Sequence, residues 1–211
     1  MDTQRLQFDH MISLTTVRTG SVLEERAGRV FEVAGGDFGG KLMVTRSTGR
    51  AVREALEEAL VALPKGGVLY VDTRGVELMD YSFADEALGI LASRAASGEY
   101  GDRHLVLVEE DRDLLENVEA SLRQRSLAII RMDEVGGEPS IVGEVPGHLV
   151  ETLQAIYEVG SITNAALAAK LGLNHTACNN RATRLAKLGL IHRRIETAAP
   201  GGRQYTYERL V

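Results

Sequence analysis

A single cysteine, Cys178, leaves no partner for an internal disulfide. No apolar run approaches the roughly 20 residues that a membrane-spanning helix needs. The opening MDTQRLQFDHMISL has no long apolar stretch behind a basic start, so no secretory signal is read there. These absences lead to the expectation of a cytoplasmic protein with no membrane partner. There is no internal repeat and no low-complexity segment. The recurring patterns of catalytic chemistry are missing too. The five histidines show no metal-ligand spacing, no serine–histidine–acid arrangement is supported by spacing, and Arg46-Ser47 with Gly49 ahead of a helix lacks the Walker spacing of a nucleotide loop. Asp72, Asp80, Asp85 and Glu86 cluster in sequence, but carboxylates in strand-to-helix loops and first helical turns are commonly capping or solvated groups. No metal, no cofactor and no enzymatic activity are expected.

What is present is an asymmetry of charge. The 211 residues carry a net charge of −6, unevenly spread. From Val145 onward eight Lys and Arg (Lys170, Arg181, Arg184, Lys187, Arg193, Arg194, Arg203, Arg209) face four acids (Glu151, Glu158, Glu196, Glu208), while the rest holds 16 basic and 26 acidic residues. A basic segment of +4 behind an acidic one of −10 points to two modules with different partners, the basic one suited to phosphates. Gly136-Gly137-Glu138-Pro139 and Val145-Pro146-Gly147 punctuate the join, dividing the chain into residues 1–144 and 145–211.

The first module alternates strand and helix. Residues 8 to 34 read as extended pieces with a turn at Ala27-Gly28, and LMVT (42–45) as a short strand. A helix after Arg46-Ser47-Thr48-Gly49 carries Val52, Ala55, Leu56, Ala59, Leu60 and Leu63 as an apolar stripe. Val68-Leu69-Tyr70-Val71 is a buried strand ending at Asp72. Val76 to Met79 is extended, and the chain turns into a helix at Asp80-Tyr81-Ser82, with Ser82 read as N-cap and Asp85 three residues on in a variant capping box. His104 to Val108 is the next buried strand, Asp111-Arg112-Asp113 opens a third helix, and Leu127 to Ile130 is the last clear strand. This order predicts an α/β fold around a mostly parallel sheet. A serine at the head of a helix beyond a strand end is also where an anion is favoured.

The second module reads as three helices and a hairpin: 148–159, 164–171 after a turn at Ser161-Ile162-Thr163, and 175–188 after the tight turn Gly172-Leu173-Asn174, then strands 191–197 and 204–210. A short helix, a glycine turn and a second helix hold that second helix proud of the fold, so its N-terminal half can enter a major groove. Asn matches adenine, and Arg matches guanine or phosphate. Arg193, Arg194 and Arg203 lie on the hairpin, where a wing meets backbone phosphates.

Two resemblances attach to these residues. The string GSITNAALAAKLGLNHTACNNRATRLAKLGLIHRR, followed by PGGRQYTY, closely resembles a bacterial winged helix-turn-helix of the MarR-like and ArsR-like kind. On that pattern Cys178, Ala182 and Leu185 face inward, His175, Thr176, Asn179, Asn180, Thr183 and Arg184 face outward, and Arg181 sits at the edge. The resemblance implies double-stranded DNA as partner and a homodimer reading two half-sites. Cys178 then reads as a small buried hydrophobe rather than a redox sensor. In the first module, Asp80-Tyr81-Ser82-Phe83 falls on the Asp-Ser-Ser-Gly tetrad of the STAS domain of anti-anti-sigma factors, with Tyr81 and Phe83 in place of the first Ser and the Gly. The fuller MDYSFADEALGIL is similar to the STAS-like domain of unknown function. This implies a kinase or sigma-regulator partner and makes Ser82, beside Asp80, a candidate phosphorylation or anion site; the plain alternative is a helix cap. The expectation is an α/β STAS-like domain with a mostly parallel mixed sheet plus a smaller α+β winged helix-turn-helix domain. Together they would form a transcriptional regulator, with a phosphorylation-controlled interaction switch as the rival.

Overall fold

The computed structural model describes residues 12–13, 28–34, 38, 40–198 and 202–211, with backbone alone at 12–13, 197–198 and 202–203. Most of the extended pieces expected over residues 8 to 34 lie outside this range. A six-stranded sheet runs in the order β1 (Ile12–Ser13), β8 (Ser140–Gly143), β7 (Ala128–Met132), β6 (His104–Val108), β4 (Val68–Asp72), β2 (Gly28–Glu32). The four strands β2, β4, β6 and β7 are parallel; β8 joins β7 antiparallel, and β1 pairs antiparallel with β8. The architecture is therefore α/β with a mostly parallel mixed sheet. Among the described residues the short β3 (Leu42–Met43) and β5 (Leu78–Met79) pair only with each other.

Side chains alternate across a strand, and here both faces are covered. Leu69, Val71, Leu105, Leu107 and Ile129 point to one core, Val68, Val106, Ala128, Ile130 and Met132 to another. Burial on both sides is why these strands read as unbroken apolar runs rather than alternating ones. The first core is closed by α1 (Arg46–Val61), by the continuous helix α2 (Tyr81–Ala84), π-helical turn (Asp85–Gly89) and α3 (Ile90–Ser97), and by α4 (Arg112–Gln124). The second core is shared with the C-terminal module, whose α5 (Gly147–Val159) contributes Leu149, Leu153 and Ile156. The C-terminal module is thus packed on the sheet, not tethered beside it.

That module continues with β9 (Ser161–Thr163), α6 (Asn164–Leu171), α7 (His175–Lys187) and the hairpin β10 (Ile191–Ala198) and β11 (Gly202–Arg209). Ser161-Ile162-Thr163, expected as a turn, is a strand: it pairs antiparallel with β11 through Thr163↔Thr206, Ile162↔Tyr207 and Ser161↔Glu208. The strand β8 likewise falls where the sequence predicts only a join; its four residues are defined by antiparallel pairing with β7 and β1.

Two expectations near the central helix are corrected. Its N-cap is Asp80, whose Oδ1 accepts from Phe83 N–H at 2.7 Å; Ser82 is the second helical residue and caps nothing. An aspartate is as good a cap as a serine, and Asp80 Oδ2 also accepts from Thr45 N–H at 3.4 Å, tying the head of α1 to the head of α2. Nor are the neighbouring carboxylates solvated. Asp85 and Glu86 are 5% and 6% exposed. Asp85 accepts from Ser121 Oγ at 2.9 Å, from Arg46 at 3.3 Å and from Arg125. Glu86 meets Arg53 at 3.3 Å, with Arg46 and Arg50 at 3.7 Å. Burial opposes the charge on Asp85, but the hydrogen bonds from Arg125 and Ser121 outweigh it and hold the carboxyl below the usual range. The same seam includes Glu57, which accepts from Arg53, Arg94 and Tyr100; burial and the Glu57 contact push the Tyr100 phenol up to about 12. Gly89 makes the close approach of α4 feasible, because a Cβ there would collide with Ser121 Oγ.

Candidate nucleic-acid interface

The helix-turn-helix is built by local chemistry. Thr163 caps α6, its hydroxyl accepting from Ala166 N–H at 3.3 Å. Gly172 ends α6 at φ +64°, a left-handed conformation that glycine adopts without penalty. Asn174 caps α7, accepting from Ala177 N–H at 2.8 Å. The Asn164 side-chain amide donates to His175 C=O at 3.2 Å and locks the two helices together. Cys178, Ala182 and Leu185 are fully buried along the inner stripe of α7. The Cys178 thiol is pushed up by burial, with Arg181 pulling weakly the other way, so it is a poor thiolate.

On the outer side His175, Thr176, Asn180 and Arg184 are exposed, with Lys187 following. Among the described residues Arg184 makes no ion pair. Of the remaining predicted contacts, Asn179, Arg181, Arg193 and Arg194 are engaged within the protein. Asn179 is half-buried, its Oδ1 accepting from Arg193 at 3.3 Å and from the Tyr207 hydroxyl at 3.1 Å. Thr183 is half-buried, with its hydroxyl enclosed and unpartnered. Arg181 donates to Glu151 at 3.1 Å and to His148 C=O at 3.2 Å, bracing α7 on α5. Arg193 lies over the Tyr205 ring, 4.2 Å from its centroid. Arg194 is exposed on β10 and pairs with Glu208 at 3.3 Å. The side chain of Arg203 lies outside the described residues. Helical spacing identifies which side of α7 faces out, but not which outward groups are claimed by the hairpin behind them. Tyr207 organises that claim: it is fully buried on β11 and its hydroxyl reaches both Asn164 and Asn179 at 3.1 Å, while burial pushes its phenol up to about 12.

At the candidate regulatory site, Asp80 is engaged as a cap, as described above, and Ser82 is half-buried beside it. Asp72 is buried and clamped by Arg74 at 2.6 Å.

Spacing along the chain offered no metal ligands, yet folding brings three candidate ligands together. Asp102 and His104, at the head of β6, meet His192 of β10 where the sheet adjoins the winged helix. His104 Nε2 lies 3.1 Å from Asp102 Oδ1, His192 Nδ1 lies 3.9 Å from the same oxygen, and the two imidazoles meet edge to face at 4.1 Å. The only sequence signal was the Asp102-x-His104 pair; its third member is 88 positions further on.

Among the described residues no helix is long and apolar enough to cross a membrane. No curated protein matches the chain. A family model described as winged helix-turn-helix DNA-binding matches residues 150–192, from α5 to the start of β10, and the C-terminal segment is accordingly a winged helix-turn-helix.

Proposed function

We propose that this protein is a transcriptional regulator that binds duplex DNA through α7 and the β10–β11 wing, under control of the α/β half. The observation that carries the reading is the outer side of α7. His175, Thr176, Asn180 and Arg184 stand exposed on a capped helix, held forward by a glycine turn, as a helix that reads a major groove must be. Arg184 is assigned to guanine or phosphate and Asn180 to adenine, while Arg181, Asn179 and Arg193 hold the reading helix and wing in place. A homodimer reading two half-sites belongs to this proposal. The α/β half is proposed to be STAS-like and to dock a protein partner or ligand. Supporting it are the strand ending in Asp72, the short extended link to Met79 and the Asp80-capped helix head.

The test is fluorescence anisotropy with genomic fragments at increasing salt. Affinity should fall steeply, since each neutralised phosphate contributes to the slope. Arg184→Ala should weaken binding about tenfold, in line with ~1–3 kcal/mol for a base or phosphate contact, with thermal unfolding nearly unchanged. Failure to bind any fragment at low salt overturns the proposal; early melting of Arg184→Ala would make that residue structural.

A further inference from the structure

We propose that Asp102, His104 and His192 form a binding site for a divalent transition-metal ion at the seam between the sheet and the winged helix. One ligand atom from each residue lies within 4.8 Å of the others. Donors at about 2.0–2.2 Å from a tetrahedral ion are about 3.3 Å apart, and the observed separations of 3.1 and 3.9 Å from Asp102 Oδ1 bracket that figure.

The hydrogen bonding of the two rings points the same way. His104 is 6% exposed and has an acceptor at each nitrogen: Gly189 C=O lies 3.4 Å from Nδ1 and the Asp102 carboxylate 3.1 Å from Nε2. A neutral imidazole has one N–H to give. If Nδ1–H goes to Gly189, Nε2 turns a lone pair on a carboxylate, and a cation between them removes the conflict. A backbone carbonyl on the far nitrogen is also how metal-bound histidines are generally oriented. His192 is 3% exposed, and among the described residues neither of its ring nitrogens makes a hydrogen bond; Nδ1, 3.9 Å from Asp102 Oδ1, is the nitrogen that would take the ion, while Nε2 is enclosed on the other side of the ring. An imidazole nitrogen with no hydrogen bond beside a carboxylate is free to take a ligand.

The frame is rigid on the protein side and open on the solvent side. Gly66 N–H donates to Asp102 C=O at 2.6 Å, His104 N–H donates to Gly67 C=O at 3.0 Å, and His192 sits in register with Glu208. The Asp102 side chain is 56% exposed, at the mouth of a cleft also lined by Gly101, Arg103, Gly189 and Arg193. Two imidazoles, one carboxylate and an open fourth position suit Zn(II), Co(II) or Ni(II) rather than the all-oxygen shells of Mg(II) and Ca(II). Because two ligands belong to the α/β half and one to the wing, the ion would bridge the modules. Any partner that shifts the wing would then be coupled to metal affinity by linkage. The site itself does not depend on the DNA-binding reading.

The experiment is titration of untagged, chelator-stripped full-length protein with Co(II), followed by visible absorption, with Zn(II) as competitor. Expected is one saturating equivalent with the intense bands of tetrahedral Co(II), displaced by Zn(II), and a higher Tm with Zn(II). His192→Gln and Asp102→Asn should each weaken Co(II) binding at least tenfold, while the exposed His175→Gln should leave it unchanged. If His192→Gln does not fold, Asp102→Asn decides, since its side chain is largely in solvent. Weak octahedral bands only, an unaffected Asp102→Asn variant, or an equal loss in His175→Gln overturns the site. So does the absence of any saturable signal, which would leave the cluster an imidazole–carboxylate contact.

Discussion

Asp85 and Glu86, on the helical face of the sheet, are met by Arg46, Arg50, Arg53 and Arg125, with a serine hydroxyl completing the set. On the winged-helix face, Asp102 is met by two imidazoles, of which His192 makes no hydrogen bond among the described residues. Both clusters lie between elements far apart in sequence, but they behave differently. Guanidinium groups carry fixed charge and several donors, so each carboxylate of the first cluster is answered by more than one of them, and the cluster ties α1, the π turn and α4 together. Imidazoles carry one N–H each when neutral, so the second can be completed from outside.

The largest effects should come from breaking each face. Leu153→Ala removes a fully buried side chain from the core that the sheet shares with α5. It should cost about 3 kcal/mol, and the whole chain should still unfold in one transition. Two separated transitions in urea, with the sheet half unmoved, would mean that the faces fold independently. Asp85→Asn on the opposite face leaves the exposed Arg46 and the half-buried Arg125 without their carboxylate and weakens the bond from Ser121, for about 2 kcal/mol.

That variant also sharpens the contrast through pH. The folded-state pKa of Asp85 is lowered from the usual 3.8. Its stabilisation is therefore fully present above that value and is lost as pH falls through the lower folded one. The stability of the wild type should drop more steeply than that of Asp85→Asn below about pH 4; parallel curves would show that other carboxylates set the acid limb. The smallest effect separates Asp80 from Ser82. Asp80→Ala should cost about 1 kcal/mol as loss of a cap, and Ser82→Ala distinctly less. The reverse order in denaturant midpoints would restore Ser82 as the cap.

Much of the fold is legible along the chain because its signals are local. The stripe Val52, Leu56, Ala59, Leu60 marks α1 by its period, the apolar runs at 68–71 and 104–108 mark doubly covered strands, and Gly172 with Asn174 marks the turn of the helix-turn-helix. The strands β8 and β9 escape such reading, since four and three residues carry no period and become strands only through antiparallel neighbours. The site was legible to the same degree. The 3.6-residue period of α7 separates Cys178, Ala182 and Leu185 from His175, Thr176, Asn180 and Arg184. It does not reveal that Asn179 is held by Tyr207 and Arg193, because those partners arrive on β10 and β11.

Sequence alone determined the order of elements, the charge division between the two modules and the outward side of α7, all set by spacing, turn chemistry and composition within a few residues. Only the tertiary structure decided that the winged helix closes the second face of the sheet, that the acidic residues of the π turn are arginine-bound, and that Asp102, His104 and His192 converge. Those outcomes depend on pairings 33 to 90 positions apart. Short-range preferences cannot encode such pairings; they arise when burial of both faces of one sheet forces distant side chains to share a dry interior.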